Sequence, residues 1–135
     1  AALMPDAPDR DALLAEVQSV LNHPDFAALF GPDTLAEAPI TADLKGQPLV
    51  GTIDRLLVSH DRVLAVDFKS NLIVPETAAS VPDGLLRQMA AYHMGLAQIY
   101  PDKTIEVALL WTRNAQLMPL SPDILRFALM RATLP

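Results

Sequence analysis

Apolar and polar residues alternate along this chain with a period that changes near residue 35. Before that point Leu13, Leu14, Val17, Val20 and Leu21 recur at helical spacing. They predict a helix capped by Asp9 or Asp11 and running to about Asn22. His23-Pro24 ends it, because the residue before a proline is pushed out of the helical region. Asp25 to Phe30 reads as a short helical turn closed by Gly31-Pro32. Past Leu35 the period shortens. Glu37 to Leu44 reads as a strand, and Pro39 puts it at a sheet edge or near its own start. Lys45-Gly46-Gln47-Pro48 supplies a turn, Leu49 to Val58 a second strand, Ser59-His60-Asp61 another turn, and Arg62 to Ser70 a third strand. Three strands in a meander follow a helix.

Asn71 to Val81 reads as a loop. Ser80-Val81-Pro82-Asp83 has the form of a capping box with proline in the first turn. The helix it opens runs to about Tyr100, with Leu85, Met89, Leu96 and Ile99 as its apolar stripe. Thr104 to Thr112 is apolar enough for a strand buried on both faces. Arg113-Asn114-Ala115-Gln116 turns into a short strand over Leu117 to Leu120, and Ser121-Pro122-Asp123 opens a last helix, Ile124 to Ala132. The expected fold is α/β, a mixed sheet flanked by helices in the order α-β-β-β-α-β with short C-terminal additions. It forms one domain: a helical segment over 9–30, a core over 35–120 and a closing helix over 122–132.

Composition narrows the chemistry. The 135 residues, 51% hydrophobic and 19% charged, suit a globular core. Cysteine is absent, which removes disulfides, thiolate metal sites, iron–sulfur clusters and thiol nucleophiles, and fits a reducing compartment. No apolar run reaches the length of a membrane span, and the first residues lack the form of a signal peptide. The absence of an initiating methionine suggests a piece of a longer protein. The net charge of −6 argues against wholesale attraction to nucleic acid, although bound divalent cations would offset part of it.

Two acids interrupt the aliphatic runs of the second and third strands, Asp54 and Asp67. Lys69 follows Asp67 by two, so both side chains point to one face of a strand. Two carboxylates and an ammonium on one sheet face are hard to explain as packing. On neighbouring strands the acids can bind one hard divalent cation such as Mg²⁺, which takes a few carboxylates and keeps water elsewhere. Such an ion activates water and offsets charge on a phosphodiester, and Lys69 is placed to stabilise the attacking hydroxide and the transition state. The Phe68 carbonyl is a further possible ligand and Glu37 a further acid.

Plainer readings stay open. Asp-x-Lys at a strand end is commonly a solvated pair, Asp54-Arg55 a surface ion pair worth little, and Lys69 can neutralise Asp67 in a purely structural bridge. Against these, Asp67 follows Leu64-Ala65-Val66, and burying a charge needs a partner. Gln88 and Tyr92, four apart on one helix face, can meet the acids if that helix crosses the meander; otherwise they are a core tyrosine and a solvated glutamine. Ser59 and Ser70 have no nucleophile motif around them. His60 is in a turn, and His23 beside a helix end reads as a capping or surface residue.

These residues resemble the RecB-like branch of the PD-(D/E)XK nucleases. The pattern appears as Gly51-Thr52-Ile53-Asp54-Arg55-Leu56, then Val66-Asp67-Phe68-Lys69-Ser70, then Gln88-Met89-Ala90-Ala91-Tyr92, in order and from Glu37 to about Leu120. Glu37-Ala38-Pro39-Ile40 and Ala108-Leu109-Leu110-Trp111-Thr112 look most like the nuclease domains of AddA-type helicase–nucleases. The resemblance implies a restriction-endonuclease-like core, Asp54 and Asp67 as metal ligands, Lys69 as catalytic lysine, and Gln88 and Tyr92 in support. It implies Mg²⁺-dependent cleavage of single-stranded DNA, with Mn²⁺ able to substitute, in ATP-dependent processing of double-strand breaks beside an AddB-type subunit in the bacterial cytoplasm. A non-catalytic module that guides DNA or packs on a partner is the rival. One departure stands out: the family's metal-ligand histidine precedes the first strand, and His23 beside Pro24 does not fit that role. The resemblance therefore places that histidine before Ala1, leaving this stretch short of a ligand.

Overall fold

The computed structural model describes residues 15, 34–44, 46–70 and 74–133. Apart from Ala15, which is helical, the predicted helix to Asn22 and the turn at Asp25–Phe30 lie outside the described residues. The described chain forms β1 (Thr34–Leu44), β2 (Gln47–Val58), β3 (Arg62–Lys69), a 3-10 turn at Ala78–Ser80, α1 (Asp83–Ile99), β4 (Thr104–Trp111), β5 (Gln116–Leu120) and α2 (Pro122–Thr133). The strands make one mixed sheet in the order β1-β2-β3-β4-β5. The pairs β1/β2, β2/β3 and β4/β5 are antiparallel, while β3 and β4 run parallel. A parallel pair needs a crossover connection, and α1 provides it. The architecture is α/β with helices packed on a mixed sheet, and among the described residues no helix is long and apolar enough to cross a membrane.

Local chemistry explains most of these boundaries. Gly46 takes φ +86 between β1 and β2, where its amide is held by the Asp43 carboxylate at 2.8 Å. Ser59 closes the β2–β3 turn, its amide and hydroxyl both donating to the Arg62 carbonyl at 2.8 and 3.0 Å. The proline of β1 is on an edge strand, as its missing N–H requires. At the start of α2 the Ser121 hydroxyl accepts the Ile124 amide at 3.2 Å, with Pro122 in the first turn.

The expected capping box at Ser80 does not form. Ala78–Ser80 turns as a 3-10 segment, the Val81 amide returns to the Ala78 carbonyl, and the Ser80 hydroxyl pairs with Thr77 instead. α1 therefore starts behind Pro82, whose carbonyl takes the amides of Leu85 and Leu86.

The buried stripe of α1 is also rotated from the predicted one. Leu86, Met89, Ala90, Tyr92, Gly95 and Leu96 face the sheet, Leu85 is half-buried and Ile99 is exposed. Gly95 explains the rotation: a Cβ there would stand 2.8 Å from Leu49 and 3.1 Å from Ile40, so the helix makes its closest approach to β1 and β2 along that line. On the sheet, Val63, Ala65, Val107, Leu109 and Trp111 join the core beneath α1, whereas Val66, Ala108 and Leu110 form a second cluster with Leu64 and Phe68. β4 is thus buried on both faces, as its sequence predicts.

Candidate active site

The alternation of β3 fixes which face carries the chemistry. Val63 and Ala65 point to the core under α1, and Leu64, Val66 and Phe68 to the other side, so Asp67 and Lys69 share the α1 face. Lys69 Nζ lies 2.9 Å from Asp67 Oδ2. The β2/β3 register runs from Val58↔Val63 to Arg55↔Val66, and its next position sets Asp54 opposite Asp67. There the ladder gives way to a side chain: the Phe68 amide donates to Asp54 Oδ2 at 2.8 Å. In an antiparallel ladder the N–H and C=O of one residue point the same way, so the Phe68 carbonyl shares that edge.

The pair is electrostatically poised. Asp67 is 8% exposed. Burial pushes its carboxyl up to about 6, the neighbouring Asp54 carboxylate adds to the rise, and the Lys69 ammonium opposes it. Asp67 Oδ2 is buried and is paired with the Lys69 ammonium 2.9 Å away. A buried carboxylate pair forced together against a single ammonium is donor chemistry that a hard divalent cation fits. Among the described residues no third His, Cys, Asp or Glu completes a metal-sized group. Glu37 stands level with Asp54 on β1, but its side chain is exposed.

The two helical residues meet each other. Gln88 Nε2 donates to the Tyr92 hydroxyl at 3.2 Å, with Tyr92 buried and Gln88 exposed. Among the described residues neither hydrogen-bonds to the aspartates or to Lys69. Tyr92 instead rests on Gly51 of β2, where an added Cβ would stand 2.9 Å from its ring and hydroxyl. The helical pair is therefore tied to β2 three residues from Asp54. Gly51→Ala should displace the ring and cost about 1–3 kcal/mol of stability, as overpacking does. Urea unfolding checks this, and an unchanged midpoint would mean the ring has room to spare.

Two contributions were not visible from residue type. The Thr112 amide and hydroxyl both reach the Lys69 carbonyl, at 2.8 and 3.2 Å, and so anchor the lysine's backbone from β4. Trp111, level with Lys69 in the parallel register, is fully buried, and among the described residues its indole nitrogen has no hydrogen-bond partner. Only the β3/β4 pairing reveals either role, and no local motif encodes it.

No family model matches this chain, and no curated protein matches it. Among solved structures it is similar to the crystal structure of SSO0001, with a TM-score of 0.45 and 14% sequence identity, over 96% of this chain and 63% of that one. The chain thus spans less than two thirds of that neighbour, and a likeness this loose bears on neither family nor chemistry.

Proposed function

We propose that this chain is a metal-dependent deoxyribonuclease domain with a restriction-endonuclease-like core, of the kind found in AddA-type helicase–nucleases, acting on single-stranded DNA during double-strand-break repair. The observation that supports it most is the juxtaposition of the Asp54 and Asp67 carboxyls with Lys69 Nζ 2.9 Å from Asp67. Asp54 and Asp67 would hold Mg²⁺ or Mn²⁺, with the Phe68 carbonyl on the same edge. The metal, when bound, supplies Lewis-acid polarisation of the phosphodiester and a more acidic water. Lys69 contributes a fixed positive charge beside the attacking oxygen, and Thr112 keeps that charge in place by holding the Lys69 backbone. Gln88 and Tyr92 support the site at one remove, through β2. An AddB-type subunit would be the partner of the parent assembly.

The rival reading, a nuclease-like module that guides DNA or a partner without cutting, draws on the two-carboxylate count among the described residues and on the net charge of −6. Metal binding and cleavage separate the two. Mn²⁺ at about a hundred times its Kd should stabilise the chain by about 2.7 kcal/mol, seen as a rise in melting temperature that is lost in Asp54→Ala. Cleavage of end-labelled single-stranded DNA by the parent protein in Mn²⁺ should follow the same dependence. No thermal shift at millimolar Mn²⁺ would mean the site is incomplete in this stretch, and no cleavage by the parent protein would leave the guiding module as the better account.

A further inference from the structure

The β1/β2 ladder pairs residues from Thr34↔Leu57 to Leu44↔Gln47 and breaks at one level, where Glu37 faces Asp54 and neither is paired. Glu37 there adopts φ +50, the left-handed region that side chains with a Cβ enter only at a cost. The other described non-glycine residue with positive φ is Ala115, in the β4–β5 turn, where chain reversal calls for it. Nothing reverses at Glu37; it lies inside a strand.

The core face of β2 changes at this break. Ala38 and its partner Ile53 are in the core beneath α1. On the far side of the break, Leu56 is in the same core, while its partner Leu35 is more than half exposed. Regular alternation puts core positions two apart, whereas Ile53 and Leu56 are three apart. One residue of β2 is therefore taken out of the alternation. That residue is Asp54, whose carboxylate turns to β3 and takes the Phe68 amide.

We infer that Glu37 is a positioning residue for Asp54: its left-handed backbone opens the β1/β2 ladder at the level where Asp54 leaves that ladder for the site. The role belongs to the backbone, since the Glu37 side chain is exposed. Strain of this kind persists where the surrounding structure over-determines it, commonly at functional sites. The inference deepens the nuclease reading, because it matters to function only if Asp54 is a ligand, but its geometry is testable without metal.

The readout is amide hydrogen exchange at Phe68 in the whole chain, with Asp54→Ala marking loss of the carboxylate bond. Glu37→Gly and Glu37→Asn, which accept the left-handed region, should keep Phe68 protected, as should Glu37→Gln. Glu37→Val, β-branched and averse to that region, should speed Phe68 exchange at least roughly tenfold while the β4 amides stay slow. Unchanged Phe68 protection in Glu37→Val would overturn the inference. So would uniform acceleration across the sheet, which marks general destabilisation, or loss of protection in Glu37→Gln, which assigns the effect to the carboxylate. Cleavage by the parent protein in Mn²⁺ keeps the two claims apart. If the parent protein cleaves no DNA while Phe68 still tracks position 37, the nuclease reading fails and the positioning role stands.

Discussion

Exchanging Lys69 for methionine should lower DNA cleavage by roughly 10²–10³-fold, the usual effect of deleting one preorganised electrostatic group, while Mn²⁺ still binds at pH 8. Methionine keeps an unbranched apolar stem of similar length and removes only the charge. The backbone at position 69 is fixed independently of the side chain, because Thr112 holds its carbonyl from β4. The working pH has to be high. Lys69 opposes the rise in the Asp67 pKa, so its loss pushes that carboxyl up further and makes metal compete with a proton. Cleavage within a few-fold of wild type would show that the lysine is only the structural bridge to Asp67. Loss of metal binding at every pH would show instead that it shapes the site, with no separate part in the chemistry.

The parts of the fold legible in the sequence are those set by short-range physics. The β2–β3 hairpin follows from two aliphatic runs around Ser59-His60-Asp61, and the edge position of β1 follows from Pro39. Asp67 and Lys69 share a face because strand alternation leaves no other choice. What escaped depends on contacts distant in sequence. Nothing in the residue type of Glu37 announces a left-handed backbone, so the strand's start at Thr34 and the face change across Asp54 were both hidden. Of the predicted stripe of α1, Met89 and Leu96 are buried, while Leu85 and Ile99 enter it only because hydrophobicity favours large residues. The real line of contact runs through Gly95, where the absence of a side chain lets helix and sheet approach. Ser80 has the right spacing for a cap but is drawn into the 3-10 turn before it. For the candidate site, the two acids and the lysine were readable as types. That Asp54 reaches Asp67 by way of the Phe68 amide needed the register.

Asp67→Asn should produce a protein that binds no Mn²⁺ and yet, without metal, is more stable than wild type at pH 8. The sign follows from the direction of the shift. Asp67 titrates near 3.8 when unfolded and at about 6 in the fold, chiefly because burial disfavours the charged form. Between those values the folded state holds more protons than the unfolded one, so stability falls as pH rises through this window and levels off above it. A shift of about two units corresponds to about 3 kcal/mol. The shift belongs to the Asp54/Asp67 pair rather than to one carboxyl. Asparagine removes the buried charge and offers an amide donor toward Asp54, at the loss of the Lys69 ion pair. A net gain of about 1–3 kcal/mol at pH 8 is expected, shrinking toward pH 4, where the wild-type carboxyl is already protonated. Adding Mn²⁺ at pH 8 should reverse the order of melting temperatures, since only the wild type gains a ligand. Should metal-free Asp67→Asn melt below wild type at pH 8, the two carboxylates are not held together at a cost to folding. The strain proposed to suit them to a metal would then be absent.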